Sequence, residues 1–269
     1  MRLTASALGA LCCAAMICSG TAAALQLQVA IARPKAPQEH PNAPARSSRA
    51  TLLADFNTAV AREACRRLNA RCVFWYPDFP EIIPGVESGR FQLGFGTYLR
   101  TPEREARVAF SDPLFRSASR LLAFPRVAAR FASPAGAEIT LDKLRGARIV
   151  VIGGSQQQRH LQSLATAHRL EVLTMMTMGD CLEALYEEQA DFALLPVLGA
   201  YLVLDPAANE PPTFVGPGLI DEGLGGSVHV ALPRDDQRLR QSVNAALTAM
   251  RRDGTYQRLW RQHFSFDLD

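Results

Sequence analysis

Lysine is nearly missing from this chain: of 29 basic residues 27 are arginine, and only Lys35 and Lys143 are lysine. A bias in genomic base composition accounts for most of that ratio. A strong charge of either sign is missing too, because 26 acidic residues leave a formal charge of only +3. That balance is too mild for a nucleic-acid-binding surface. Cysteine is scarce where it counts: Cys12, Cys13 and Cys18 fall in the first 24 residues, which leaves Cys65, Cys72 and Cys181. An odd number permits at most one internal bridge. Beyond residue 24 no segment approaches the ~18 uncharged apolar residues of a membrane span. HExxH, GxSxG, Walker and zinc-spaced cysteine patterns are absent, and the five histidines are scattered. No catalytic residue, metal or cofactor is therefore expected.

What is present is a globular composition, 48% apolar and 20% charged, in 269 residues, a length comfortable for two domains. Residues 1–24 carry one charge, Arg2, then an Ala- and Leu-rich stretch to Ile17 and the small-residue end Gly20-Thr21-Ala22-Ala23-Ala24. This is the pattern of a cleaved signal peptide, and it predicts a periplasmic chain that begins at Leu25. A lipid anchor needs a cysteine after a small residue, whereas Cys12 follows Leu11 and Cys18 follows Ile17.

Along the mature chain, Leu27 to Ile31 alternates as a half-buried strand, and Arg33 to Ser48 is a polar, Pro-rich loop. Leu53, Phe56, Val60, Ala64 and Leu68 recur at helical spacing, and Asn69 can end that helix in a left-handed conformation. The next strand begins at Cys72. A helix turning straight into a neighbouring strand can bring two Cα atoms within the ~5.5 Å that a disulfide prefers. In an oxidising compartment this predicts a Cys65–Cys72 bridge, the alternative being two buried thiols, with Cys181 left as a buried free thiol. A short helix over Glu81 to Ser88 and a strand over Phe91 to Phe95 follow. Strands are then expected over Ala147 to Ile152, Glu171 to Thr174 and Asp191 to Leu195, with helices over Gln156 to His168 and Asp180 to Gln189 between them. A last long helix runs from about Asp235 to Gly254. Alternation of this kind predicts an α/β fold.

From Phe56 onward the sequence resembles the extracytoplasmic solute-binding proteins of amino-acid ABC transporters, in particular the lysine/arginine/ornithine- and histidine-binding branch. The resemblance rests on Asp55-Phe56-Asn57, Cys65-x6-Cys72, Asp78-Phe79 with Ile82-Ile83-Pro84, Ser88-Gly89-Arg90 and Thr101-Pro102-Glu103-Arg104. It continues through Phe110-Ser111-Asp112-Pro113, Leu144-Arg145-Gly146, Phe214-Val215-Gly216-Pro217, Asp253-Gly254-Thr255-Tyr256 and His263-Phe264-Ser265-Phe266-Asp267. It implies a two-lobed Venus-flytrap of type II with a mixed, mostly parallel sheet in each lobe. Lobe 1 would span 25–115 and 228–269, lobe 2 would span 121–214, and the hinges would lie at 116–120 and 216–227. The implied function is a monomeric, non-enzymatic periplasmic receptor that closes on an amino acid or related small carboxylate-bearing solute and delivers it to an inner-membrane ABC permease.

Carried over position by position, the resemblance makes Arg104 the clamp for the ligand's α-carboxylate, a task that suits arginine's planar fork. It places Gly96 and Thr97 as hydrogen-bond donors on a loop leaving a strand end, Phe79 as a ring stacked on the ligand, and Ser155 and Gln156 at a helix N-terminus that suits an anion. Departures are as informative. Leu99 stands where a hydroxyl is usual, Ala32 and Lys35 stand where the family presents an acid and an aromatic ring, and Pro196 stands where an aspartate receives the ligand's ammonium. An ammonium closed into such a cleft would be desolvated without an anionic partner. The expected ligand is therefore an acidic or neutral small carboxylate rather than lysine, arginine or histidine, with Arg33 or Lys35 near it. Two other functions share the fold: a dehydratase of prephenate-like acids, which needs a positioned acid, and a diverged sensory or accessory protein.

Overall fold

The computed structural model describes residues 25–33, 51–132, 138–204, 208 and 210–265. The expected signal peptide and Lys35 lie outside the described residues.

Two sheets, each covered by helices, organise the chain. The first contains β1 (Gln26–Ile31), β2 (Arg71–Trp75), β3 (Leu93–Leu99), β4 (Val108–Phe110), β5 (Phe115–Ser117) and β11 (Gly226–Pro233) in the order β2-β1-β3-β11-β4, with β5 also on β11. The second holds β6 (Ser119–Ala123), β7 (Arg148–Ile152), β8 (Glu171–Met175), β9 (Phe192–Pro196) and β10 (Thr213–Leu219) in the order β10-β6-β9-β7-β8. The ladders β1–β2, β1–β3, β7–β8 and β7–β9 are parallel. Every antiparallel ladder involves β11 or β6. One strand in each sheet thus runs against all the others, which is the mixed, mostly parallel arrangement expected. Both reversed strands adjoin the places where the chain changes sheet, at Ala118 and between Leu219 and Gly226.

Helices form where apolar spacing and end signals agree. In α1 (Leu52–Arg67) Phe56, Val60 and Ala64 are buried one turn apart, and Asn69 at φ 49° turns the chain out of the helix. Phe56 packs edge-on against Trp260 of the C-terminal helix α9 (Thr255–His263), with ring centroids 5.1 Å apart. The chain leaves α1 directly into β2, and Cys65 and Cys72 are bridged across that turn with Cα atoms 6.2 Å apart. Cys181 is a buried free thiol. Helix α2 (Phe79–Glu87) starts two residues earlier than expected, because Asp78 and Glu81 form a reciprocal capping box and Pro80 fits the first turn. Helices α3 (Pro102–Glu105), α5 (Gln156–His168), α6 (Met178–Tyr186) and α8 (Gln237–Arg252) complete the pattern. Two short helices, α4 (Pro125–Phe131) and α7 (Val197–Val203), were not apparent from apolar spacing. Leu202 of α7, which directly follows second-sheet strand β9, is buried in the first sheet's cluster with Ala54, Phe56 and Val60 of α1.

Candidate functional site

A cavity lies between the two sheets. The first side contributes Ala32 and Arg33 after β1, Asn57 of α1, Phe79 of α2, Gly96, Thr97 and Leu99 of β3, and Arg104 of α3. The second contributes Ile152 at the end of β7, Ser155, Gln156 and Gln157 at the start of α5, Thr177 and Met178 at the start of α6, and Leu195 and Pro196 at the end of β9. Its only charged lining residues among those described are Arg33 and Arg104.

Arg104 is placed by a short, well-specified turn. Thr101 caps α3, accepting from the Arg104 N–H, and Pro102 occupies the first turn. The side chain is 7% exposed and hydrogen-bonds only to neutral groups. One guanidinium nitrogen donates to the Leu99 carbonyl at 3.0 Å and the other crosses the cleft to the Gly154 carbonyl at 3.2 Å. The Tyr98 ring lies 5.1 Å beneath. Burial pushes the guanidinium down to about 10, with no carboxylate bonded to it in return. A buried cation held by carbonyls alone is costly and has donor capacity left for an anion. Arg33 differs: its side chain is 54% exposed, 3.6 Å from Asp78, and donates to the Tyr76 carbonyl at 3.0 Å.

Gly96 and Thr97 do reach the cavity, but not as a loop beyond a strand end. They lie within β3, at a bulge where the pairing to β11 shifts between His229↔Tyr98 and Ala231↔Gly94. Thr97 adopts φ 55° there. Its hydroxyl donates to the Gly96 carbonyl at 2.6 Å rather than facing the cavity unengaged. A Cβ at Gly96 would come within 2.6 Å of the Tyr98 ring, so glycine is needed for packing. Phe79 lines the cavity while stacking on Tyr98 at 4.8 Å, and the Tyr98 hydroxyl donates to the Phe79 carbonyl at 2.9 Å. The ring that would meet a ligand is thus backed by a second ring beside Arg104.

On the opposite side Ser155 caps α5, accepting from the Gln158 N–H at 3.1 Å, and Gln158 accepts from the Gly154 N–H at 2.7 Å. Part of this helix start is therefore satisfied internally, while the buried Gln156 side chain makes no hydrogen bond among the described residues. Gln157 donates to Ser119, which donates to the Leu224 carbonyl at 2.5 Å and so ties α5 to both chain crossings. An exposed pair, Arg159 and Glu103 at 2.7 Å, also joins the two sides.

Asn57, Gln157, Ser119 and Thr177 were not anticipated as cavity residues. For Asn57 a signal existed: it occupies the buried stripe of α1, four residues after Leu53 and three before Val60, as a polar residue among apolar ones. Thr177 and Ser119 carried no such mark. Among the described residues no group of three or more His, Cys, Asp or Glu is placed to hold a metal.

Two crossings joining two α/β sheets, with a cavity between them, define a two-sided ligand-binding architecture of the type II periplasmic binding protein class. Residues 49–266 match the bacterial extracellular solute-binding proteins, family 3, and the chain belongs to that family. The histidine-binding periplasmic protein of Escherichia coli K12 is 26% identical over 218 residues, 80% of this chain and 81% of that protein. The lysine/arginine/ornithine-binding periplasmic protein of the same organism is 26% identical over 215 residues, 79% and 80% of the two. A solved ancestral amino-acid-binding protein, a precursor of cyclohexadienyl dehydratase, superposes with a TM-score of 0.67 at 20% identity, covering 89% of this chain and 95% of that one.

Proposed function

We propose that this chain is a periplasmic receptor of an ABC transporter that captures a small carboxylate-bearing solute between its two lobes and presents it to an inner-membrane permease. The observation that carries the reading is Arg104, buried in the cavity wall with carbonyl partners only. Phe79, Gly96, Thr97, Ser155 and Gln156 complete the proposed contacts; Lys35, expected there from the sequence, lies outside the described residues. The crossings at 116–120 and 216–227 serve as hinges, with lobe 1 over 25–115 and 228–269 and lobe 2 over 121–214. Closure follows from contacts that the ligand makes to both sides.

The relatives named above bind histidine, or lysine, arginine and ornithine. For this chain we assign a carboxylate without a cationic side chain, because no Asp or Glu is among the described cavity residues and Pro196 closes β9 where an ammonium acceptor would stand. The same lining offers no carboxylic acid to a dehydratase mechanism, which favours binding over catalysis.

Isothermal titration with a panel of metabolite carboxylates tests the reading. At least one anionic or neutral carboxylate should bind with micromolar or tighter affinity, and Arg104→Met should weaken it about a hundredfold or more, as expected for loss of a bidentate charged contact. Micromolar binding of lysine, arginine or histidine would contradict the assignment. A chain that binds none of the panel is instead an accessory protein.

A further inference from the structure

The Asn57 side chain is 4% exposed, lines the cavity from α1, and has no hydrogen-bond partner among the described residues. Three of the cavity hydroxyls are engaged as donors, whereas Ser155 only accepts and Gln156 is a second carboxamide unbonded among the described residues, on the opposite side. Thr97 donates to Gly96 and Ser119 to Leu224, while Thr177 both donates to Asp180 and accepts from its N–H. The Asn57 amide atoms are not sealed in the core but open onto the cavity, so the carboxamide is free to bond what enters. Much of the remaining surface is apolar, including Leu53, Leu99, Ile152, Met178 and Leu195.

Charge limits what can enter. Arg104 is the one lining cation among the described residues that is buried and makes no ion pair, since Arg33 is half exposed beside Asp78. One buried, unpaired positive charge calls for one negative charge. A second carboxylate would find no second buried cation among the described lining, and an ammonium would find no acid. A neutral carboxamide, which donates and accepts, matches an uncharged hydroxyl, keto or amide group.

Resting on the function proposed above, we infer that the solute is a monocarboxylate of net charge −1 that carries no ammonium, with an uncharged hydrogen-bonding group on a mostly apolar body, received by Asn57. Oxo acids, hydroxy acids and lactam carboxylates are of this class; amino acids are not.

Titrations of the native chain, Asn57→Leu and Asn57→Ala with 4-methyl-2-oxopentanoate, 5-oxoproline, 4-methylpentanoate, leucine and glutamate test this, with thermal melts to verify folding. The native chain should bind the oxo acid or the lactam about tenfold or more tighter than 4-methylpentanoate, the worth of one buried hydrogen bond. Both variants should erase most of that preference and leave 4-methylpentanoate within about threefold, since a well-packed apolar replacement removes a polar contact without a cavity. Equal weakening of all ligands by both variants, or tighter native binding of leucine or glutamate, overturns the inference. Arg104→Met separates the two readings. If it abolishes binding while Asn57 variants keep the native preference, this inference alone fails; if no carboxylate binds the native chain, both fail.

Discussion

Arg104 is the residue on which the proposed binding turns, and its burial without an ion pair has a cost that the ligand-free protein bears. A buried cation bonded to carbonyls is less favourable than an apolar side chain of similar length in the same place. Arg104→Met should therefore stabilise the ligand-free protein by about 1–3 kcal/mol while removing carboxylate binding. A denaturant melt and a titration on the same preparation check the pair of outcomes; a destabilised variant would show that the guanidinium serves the fold rather than the ligand. Arginine in a Thr-Pro-Glu-Arg turn was legible in sequence, because cap, proline and cation each have a local meaning. The internal engagement of Thr97 was not, since it depends on a bulge that strand alternation does not reveal.

At the scale of elements, α1 and β2 are stapled by Cys65–Cys72, seven residues apart in sequence. Closing so short a loop removes little disorder from the unfolded chain, so loss of the bridge in a Cys65→Ala, Cys72→Ala variant should cost about 2–3 kcal/mol and lower the melting midpoint by several degrees. Calorimetric melts of the variant and the native protein measure it. The same helix carries Glu63, which hydrogen-bonds Arg66 and Arg67, and Arg67 reaches Asp253 at 2.7 Å between α8 and α9. The Arg66 hydrogen bond, with Arg67, holds the Glu63 carboxyl at about 2 against an ordinary 4.5, outweighing the opposing effect of burial. A carboxyl lowered on folding stabilises the protein above its unfolded value and loses that contribution as pH falls through the folded one. Glu63→Gln should thus flatten the decline in stability between about pH 4.5 and pH 2, read as unfolding midpoints across that range; an unchanged slope would show that the ion pairs hold nothing. Helices α1, α5 and α8 were legible because apolar spacing and caps coincide. Helix α7 was not, because Val197-Leu198-Gly199-Ala200 is apolar on every face and is defined by packing against both sides of the cleft.

For the whole molecule, the two sides meet through α7 on α1, Arg104 on Gly154 and Arg159 on Glu103. Exposed ion pairs contribute little, so apolar contacts across the cleft, Leu202 in the first cluster and Phe79 against the second, carry more of the join. Leu202→Ser should open the cleft, seen as an increase in radius of gyration by small-angle X-ray scattering that saturating ligand reverses; an unchanged radius would mean that closure rests elsewhere. The two-sheet plan was legible from alternation and from the ordered motifs of the family, and Ala32 and Pro196 already pointed to missing acids, but that no Asp or Glu is among the described cavity residues emerged only once distant segments were brought together. The most direct test of the central claim pairs ligands that differ only at the ammonium. Calorimetric titration with 4-methyl-2-oxopentanoate and with leucine should show the oxo acid binding about tenfold or more tighter, because the described cavity lining offers Arg104 to a carboxylate and no acid to an ammonium. Equal or tighter binding of leucine would contradict that account.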